Sequence, residues 1–466
     1  MFPKRTPSLN LPTAMPIRFF LSARIALFAI AAFTGKASAD TGPAADDSLP
    51  GLVAEALRNN PGLKAAGFQV KALHTSADHT WYLDAPEIGI EFYQTPTASF
   101  PNPVRNQQEI DYSVAQAFPF PGKIASRIHA EHKHAEMGEA DFEARKRKLI
   151  LDVKTAYYGL YLLDRRLGIN GENRILMERL SETARRQYEV GLGRQADILR
   201  ARTELTNLRT DSVYLVGTRQ AAQARFNALL GRKINQGVTV TSKLTPGDVP
   251  PDLERIRPLI AKSHPGLQAM KAAIGMREAE QAVARKEALP DFTVGGAYKD
   301  MLRMPQGSHG GTPEDYWSVR ASMNVPLAFW AAPKYRAGLV RSAANLNQAE
   351  EEYADADNQA VAGAQEALLK AGINTEQLRL ARDILLPQTE QALEANLTAY
   401  QGGKGDFTGL LDAYRMRLLA RQNVETALAQ LMASQAELEE AVGLSLEEMK
   451  AELKPETDPD PKGDVK

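Results

Sequence analysis

The chain repeats itself, and that repetition constrains it to a fold made of two like halves. Asn60–Ala66 reads NPGLKAA and His264–Met270 reads HPGLQAM, while Tyr188–Ala201 reads YEVGLGRQADILRA and Tyr400–Ala413 reads YQGGKGDFTGLLDA. Between these landmarks the pair Ser113-Val114 is answered by Ser318-Val319. The spacing between copies is almost constant from Pro61/Pro265 to Ser113/Ser318, then widens by one heptad before Tyr188/Tyr400. An insertion of that length keeps coiled-coil register, so one supersecondary unit used twice is expected.

Composition says what kind of unit this is. Across 466 residues, 44% are hydrophobic, 24% charged and only 7% aromatic, the balance of an elongated helical protein with much surface. Residues 1–39 carry Lys4, Arg5, Arg18, Arg24 and Lys36 without an acid, an apolar run Ile25–Phe33, and Ala37-Ser38-Ala39. This pattern predicts a secretory signal peptide. Subtracting its five positive charges from the formal −1 leaves a mature chain near −6, which argues against nucleic acid as a partner. The absence of cysteine excludes disulfides and a cysteine-borne lipid anchor. No apolar run after the signal is long enough to predict a spanning helix.

Each copy is predicted to be a helix, a strand pair and a long helical hairpin. The first repeat spans 40–230, with a helix from Pro61 to Leu83, strands at 87–95 and 109–117, and a hairpin over 121–230. The second spans 258–443, with strands at 291–299 and 316–324 and a hairpin over 331–443. Residues 231–257 are expected to be a linker and 444–466 a flexible tail. In the strands Ile88, Ile90 and Phe92 alternate with Glu87, Gly89 and Glu91, and Ile110, Tyr112 and Val114 with Glu109, Asp111 and Ser113. Phe292, Val294 and Tyr298, then Trp317, Val319, Ala321 and Met323, repeat the pattern. In the hairpins Leu149, Val153, Ala156, Leu160, Leu163 and Leu167 follow heptad spacing, as do Ile198, Ala201, Leu205, Leu208, Ser212 and Leu215. A helix of roughly 70 residues would extend about 105 Å. Gly191 and Gly193 permit a reversal at its end, Gly402, Gly403 and Gly405 another, and Pro387 should kink the ascending helix of the second hairpin. Strands with one oily and one polar face suit a membrane barrel, but four strands cannot close one, so the barrel must be shared.

With those motifs in place, the chain resembles the outer-membrane factors of the TolC family, exit ducts of tripartite efflux pumps and type I secretion systems. The likeness rests on the NPGL/HPGL pair, the junction Ala117–Lys123 (AFPFPGK), and the tips GLGRQADIL and GGKGDFTGLLDA. PFPGK, Trp317-Ser318-Val319 and Val325-Pro326-Leu327 are most similar to the heavy-metal efflux branch. The resemblance implies a mainly α fold with a small β part: duplicated helical hairpins forming an α-barrel, plus four strands per chain in a trimeric transmembrane β-barrel. It implies a homotrimer in the outer membrane of a Gram-negative cell, with a periplasmic extension that meets an adaptor (membrane-fusion) protein and an inner-membrane pump. The tips Gly191, Leu192, Gly193, Gly402, Gly403 and Gly405 are then the adaptor-docking surface, and Asp197, Arg200 and Asp412 the aperture; a link from Arg200 to Asp412 between neighbouring helices would serve as a latch. This chain departs from the family's pattern at Gly409, where a further acid is usual. Charges complementing helix dipoles are the plain alternative for Asp197 and Asp412.

Glu91, Asp111 and Asp291 are expected to line the lumen and favour cations. His129, His132 and His134 with Glu136 fan around one helix and read as a solvated surface rather than a metal site. Met301, Met304 and His309 are weaker candidates for soft-metal contacts in an outer loop. Nothing converges on a reacting atom, so no enzymatic activity and no cofactor is expected. The leading reading is a passive exit channel for heavy-metal cations. Drug efflux or type I secretion is the alternative, and a periplasmic coiled-coil adaptor leaves the amphipathic strands unexplained.

Overall fold

The computed structural model describes residues 48–93, 95–104, 107–240, 243–250, 252–302, 314–324, 330 and 332–453. The expected signal peptide, Met304, His309 and the tail beyond Leu453 lie outside the described residues.

Each repeat opens with two helices, not one. Helix α1 (Leu49–Asn59) stops where Asn60 turns to cap α2 (Pro61–His79), its Oδ1 accepting from the Leu63 N–H at 3.0 Å. Strand β1 (Glu87–Tyr93) and strand β2 (Glu109–Phe118) follow, then α3 (Lys123–Glu189) and α4 (Gln195–Leu230). The second repeat runs through α5 (Leu253–Ser263), α6 (Pro265–Glu287), β3 (Phe292–Met301), β4 (Tyr316–Met323) and α7 (Ala332–Arg379). It closes with α8 (Leu386–Gln401), α9 (Phe407–Val442) and a short α10 (Leu446–Glu452). At 67 residues α3 is about 100 Å long. Its heptad seam is buried where expected, at Leu149, Val153 and Leu160, and α4 answers with Ala201, Leu208 and Leu215.

Several boundaries differ from the sequence expectation. Helix α2 ends at His79 rather than Leu83, and the next residues extend toward Pro86 and β1. Strand β1 ends at Tyr93, while β2 reaches Phe118 because Phe118 still finds a partner in Phe292. The described residues of the 231–257 linker include packed positions: Val238 is buried, and Gly247 and Gln435 exchange two hydrogen bonds of 3.2 and 2.7 Å. The segment 444–466 is not flexible throughout, since α10 is closed by a Ser445/Glu448 capping box and buries Met449 fully. Ahead of Pro387 the second ascending helix passes through one π-helical turn, Leu380–Leu385. This widened turn accommodates a proline that cannot donate to the helical ladder.

The four strands form one antiparallel sheet in the order β1-β2-β3-β4. The β2–β3 pairing joins the two repeats, and β1 and β4 are left as its edges.

Candidate channel wall and tips

The sheet is a wall with two unlike faces. Its register places Ile90, Tyr112, Tyr298 and Trp317 in one row, and Ile88, Val114, Gly296 and Val319 in another, all on the same side. These side chains stand in the open: Trp317 is 79% exposed, Ile88 77% and Val319 69%. Asp300, near the end of β3 remote from the helices, and Gln116, in register with Val294 toward the other end, interrupt this apolar face. Apolar area of this size without a cover marks a surface meant for lipid or for another chain. The row Tyr112, Tyr298, Trp317 and, six residues along β3, the pair Phe118–Phe292 set aromatic rings at two levels, as membrane barrels do at their interfaces.

The opposite face carries Glu87, Glu91, Glu109 and Asp111 with Lys299 and Arg320. Lys299 is central to it, its Nζ lying 2.7 Å from Asp111 and 3.1 Å from Glu109, and 5.7 Å above the Tyr93 ring. Glu91 lies directly across the register from Asp111. Asp111 therefore does not present a bare charge. Asp291, also expected to line the lumen, sits at the strand–helix junction, where it pairs with the buried Lys123 at 2.9 Å and accepts from the Phe120 N–H at 2.9 Å. Lys123 is the lysine of the PFPGK motif, so the motif ties the first repeat's strand exit to the second repeat's strand entry. Sequence reasoning missed Lys123 and Lys299 because their partners are supplied by the pairing of β2 with β3.

At the far ends of the hairpins the two tips lie together. Gly191 and Gly403 adopt φ +76° and +69°, where a side chain is strained. A Cβ on Gly193 would lie 2.9 Å from the Tyr188 nitrogen. Gln187 Nε2 donates to the Gln401 carbonyl at 2.9 Å, linking one tip to the other. Leu192 is exposed, but Ile198 is partly covered, and Phe407 and Leu410 are buried with Tyr400, Tyr414 and Met177. The reversal folds α8 and α9 onto each other and closes Phe407 over Tyr400, ring centroids 5.4 Å apart. Burial, and then the Asp197 charge, pushes the Tyr400 hydroxyl up to about 12.

Asp197 is buried at the third position of α4 and accepts from the Arg194 N–H at 3.3 Å, a helix-capping contact. Arg200 reaches across to the Thr408 hydroxyl, one turn before Asp412, which is exposed. Nearby, Glu204 of α4 is nearly buried and binds Arg415 of α9 at 2.7 Å. Glu204 lies one heptad after Asp197 on the inward face of α4, and an acid at such a position is the signal that could have flagged it.

His129 and His132 are exposed on α3, and Met301 ends β3. Among the described residues, no group of three or more His, Asp or Glu side chains converges as a metal site, and no helix is long and apolar enough to cross a membrane.

A four-stranded sheet with one apolar and one polar face, continued by long paired hairpins, is the architecture of an outer-membrane duct. The comparisons agree: residues 52–232 and 257–444 match the model of the outer membrane efflux protein family, and the chain belongs to that family. Its members are outer-membrane channels of tripartite efflux pumps, passive conduits and not enzymes. The chain is 21% identical over 301 residues to the cobalt-zinc-cadmium resistance protein CzcC of Cupriavidus metallidurans, spanning 64% of this chain and 69% of that one. Among solved structures, CusC superposes with a TM-score of 0.70 at 18% identity, covering 86% of this chain and 93% of that one. The CmeC channel of Campylobacter jejuni gives 0.70 at 16% identity, covering 96% and 98%. The outer-membrane channel OprN gives 0.70 at 20% identity, covering 85% and 90%.

Proposed function

We propose that three copies of this chain close one β-barrel in the outer membrane and one helical tube beneath it, through which heavy-metal cations leave the cell. The observation that carries this reading is the four-stranded sheet, exposed on its apolar face and open at β1 and β4. Barrels with fewer than about eight strands do not enclose a lumen, so further copies must supply the remainder. The polar face then lines the conduit, and its four carboxylates against two cationic side chains favour positive cargo. The resistance named for the CzcC relative supports a metal substrate.

At the periplasmic end an adaptor protein covers the tips around Gly191, Leu192, Gly193, Gly402, Gly403 and Gly405, and an inner-membrane pump supplies the energy. Asp197, Arg200 and Asp412 narrow the aperture there. Deleting the gene from its host and replating on cobalt, zinc, cadmium, copper and silver salts, and on organic drugs, tests the substrate. Loss of growth on metals alone, restored by the wild-type gene, is expected. Loss on drugs alone would overturn the metal assignment while leaving the duct intact.

A further inference from the structure

The two repeats cap their α-helical corners with different chemistry. In the first, Asn60 Oδ1 accepts from the Leu63 N–H at 3.0 Å, and its Nδ2 donates to the Leu229 carbonyl near the end of α4 at 2.9 Å. In the second, His264 stands at the same place, and its Nδ1 accepts from the Leu267 N–H at 3.1 Å. Both corners are tight. Gly231 after α4 and Gly443 after α9 adopt φ +71° and +83°. A Cβ on either would run into the Asn59 or the Ser263 carbonyl oxygen, at 2.8 and 2.1 Å. Gly266 likewise leaves room for the imidazole, since a Cβ there would lie 2.9 Å from His264 Cε1.

An amide cap does not titrate, but an imidazole cap does. Neutral His264 can accept at Nδ1. Protonated, that nitrogen becomes a donor facing another donor, and the bond is lost. We propose that His264 makes the α5–α6 corner of the second repeat acid-sensitive, releasing the first turn of α6 on protonation, while the Asn60 corner of the first repeat stays closed.

The surroundings decide the direction of the effect. Burial holds the imidazole below its ordinary value, whereas Glu440 of α9 pulls it upward. The other elements at this corner bring apolar groups: α7 presents Ala360 and Ala364, and α10 presents Met449. Two further charged groups of the corner are already engaged, Glu439 with Lys154 and Lys262 with Glu452. A histidine depressed in the folded state contributes stability that is complete above about pH 6.5 and is lost as the pH falls below it. Glu440 then offers the imidazolium a partner on the return helix, so the acid form has somewhere to go. The turn released by acid is the first of α6, the helix that leads into β3.

The molecule carries its own control. In the full-length protein in detergent or lipid, amide exchange at Leu267 and at Leu63 is compared at about pH 7.5 and about pH 5.5, each corrected for intrinsic exchange. Protection at Leu267 relative to Leu63 should fall about fivefold at the lower pH, the equilibrium effect of one lost cap. In His264→Asn, which copies the first repeat, the ratio should be the same at both pH values. A ratio independent of pH in the wild type, or an unchanged pH dependence in His264→Asn, would overturn the proposal. If the variant does not assemble, the wild-type ratio alone decides.

Discussion

Lys299 shows how one side chain can reset the charge of a wall. From the sequence, Glu91, Asp111 and Asp291 make an acidic lining. In the folded sheet Lys299 clamps Asp111 and Glu109, and Lys123 withdraws Asp291 to the junction. Neither lysine could be assigned from its own neighbourhood, because the Lys299–Glu109 contact spans a sequence separation of 190. The prediction at this scale is that Lys299→Met frees two carboxylates per copy and raises the cation-over-anion permeability of the channel in planar bilayers. The effect should be clearest near 0.01 M salt, where charges are screened only beyond about 30 Å. Some loss of assembly is expected as well, because Glu109 and Asp111 keep only 13% and 15% of their side-chain surface open and would lose their cationic partner, so permeability ratios are compared on channels that have assembled. Equal permeability ratios in variant and wild type would mean that the polar face does not meet the permeating ions.

At the scale of elements, the long hairpins were legible because heptad spacing and glycine reversals are local signals. The strands were legible because a period of two cannot be mistaken over five alternations. What was not legible lies where an element is short or its partner distant. Helix α10 has seven residues and is held by packing of Met449 rather than by propensity. Phe407 and Leu410 are buried because the reversal at Gly403 brings α9 back against α8. Two predictions belong here. Val319→Arg places a charge on the apolar face, costing about 2–4 kcal/mol if that face meets lipid, so outer-membrane yield should drop sharply. Ser318→Arg, on the other face, should assemble normally, and equal yields for the two would reverse the orientation assigned to the sheet. Replacing Gly191 and Gly403 together by valine forces two left-handed backbone positions onto a β-branched residue. The sheet should still assemble, while cross-linking to the adaptor and metal resistance are lost; retention of both would remove the tips from docking.

For the whole molecule, the duplication announced the architecture, since each repeat supplies one strand pair and one long hairpin. The junction was half visible: PFPGK marked it, but not the Lys123–Asp291 pair that fastens one repeat to the other. The central claim is that β1 of one copy meets β4 of the next. The chain has no cysteine, so a cysteine placed in β1 and another in β4 would be the only thiols present. Oxidised in intact outer membranes, the double variant should yield covalent trimers that fall to monomers on reduction, while each single variant stays monomeric. A double variant that remains monomeric under oxidation at every register tried along the two edges, although present in the membrane, would contradict the shared barrel.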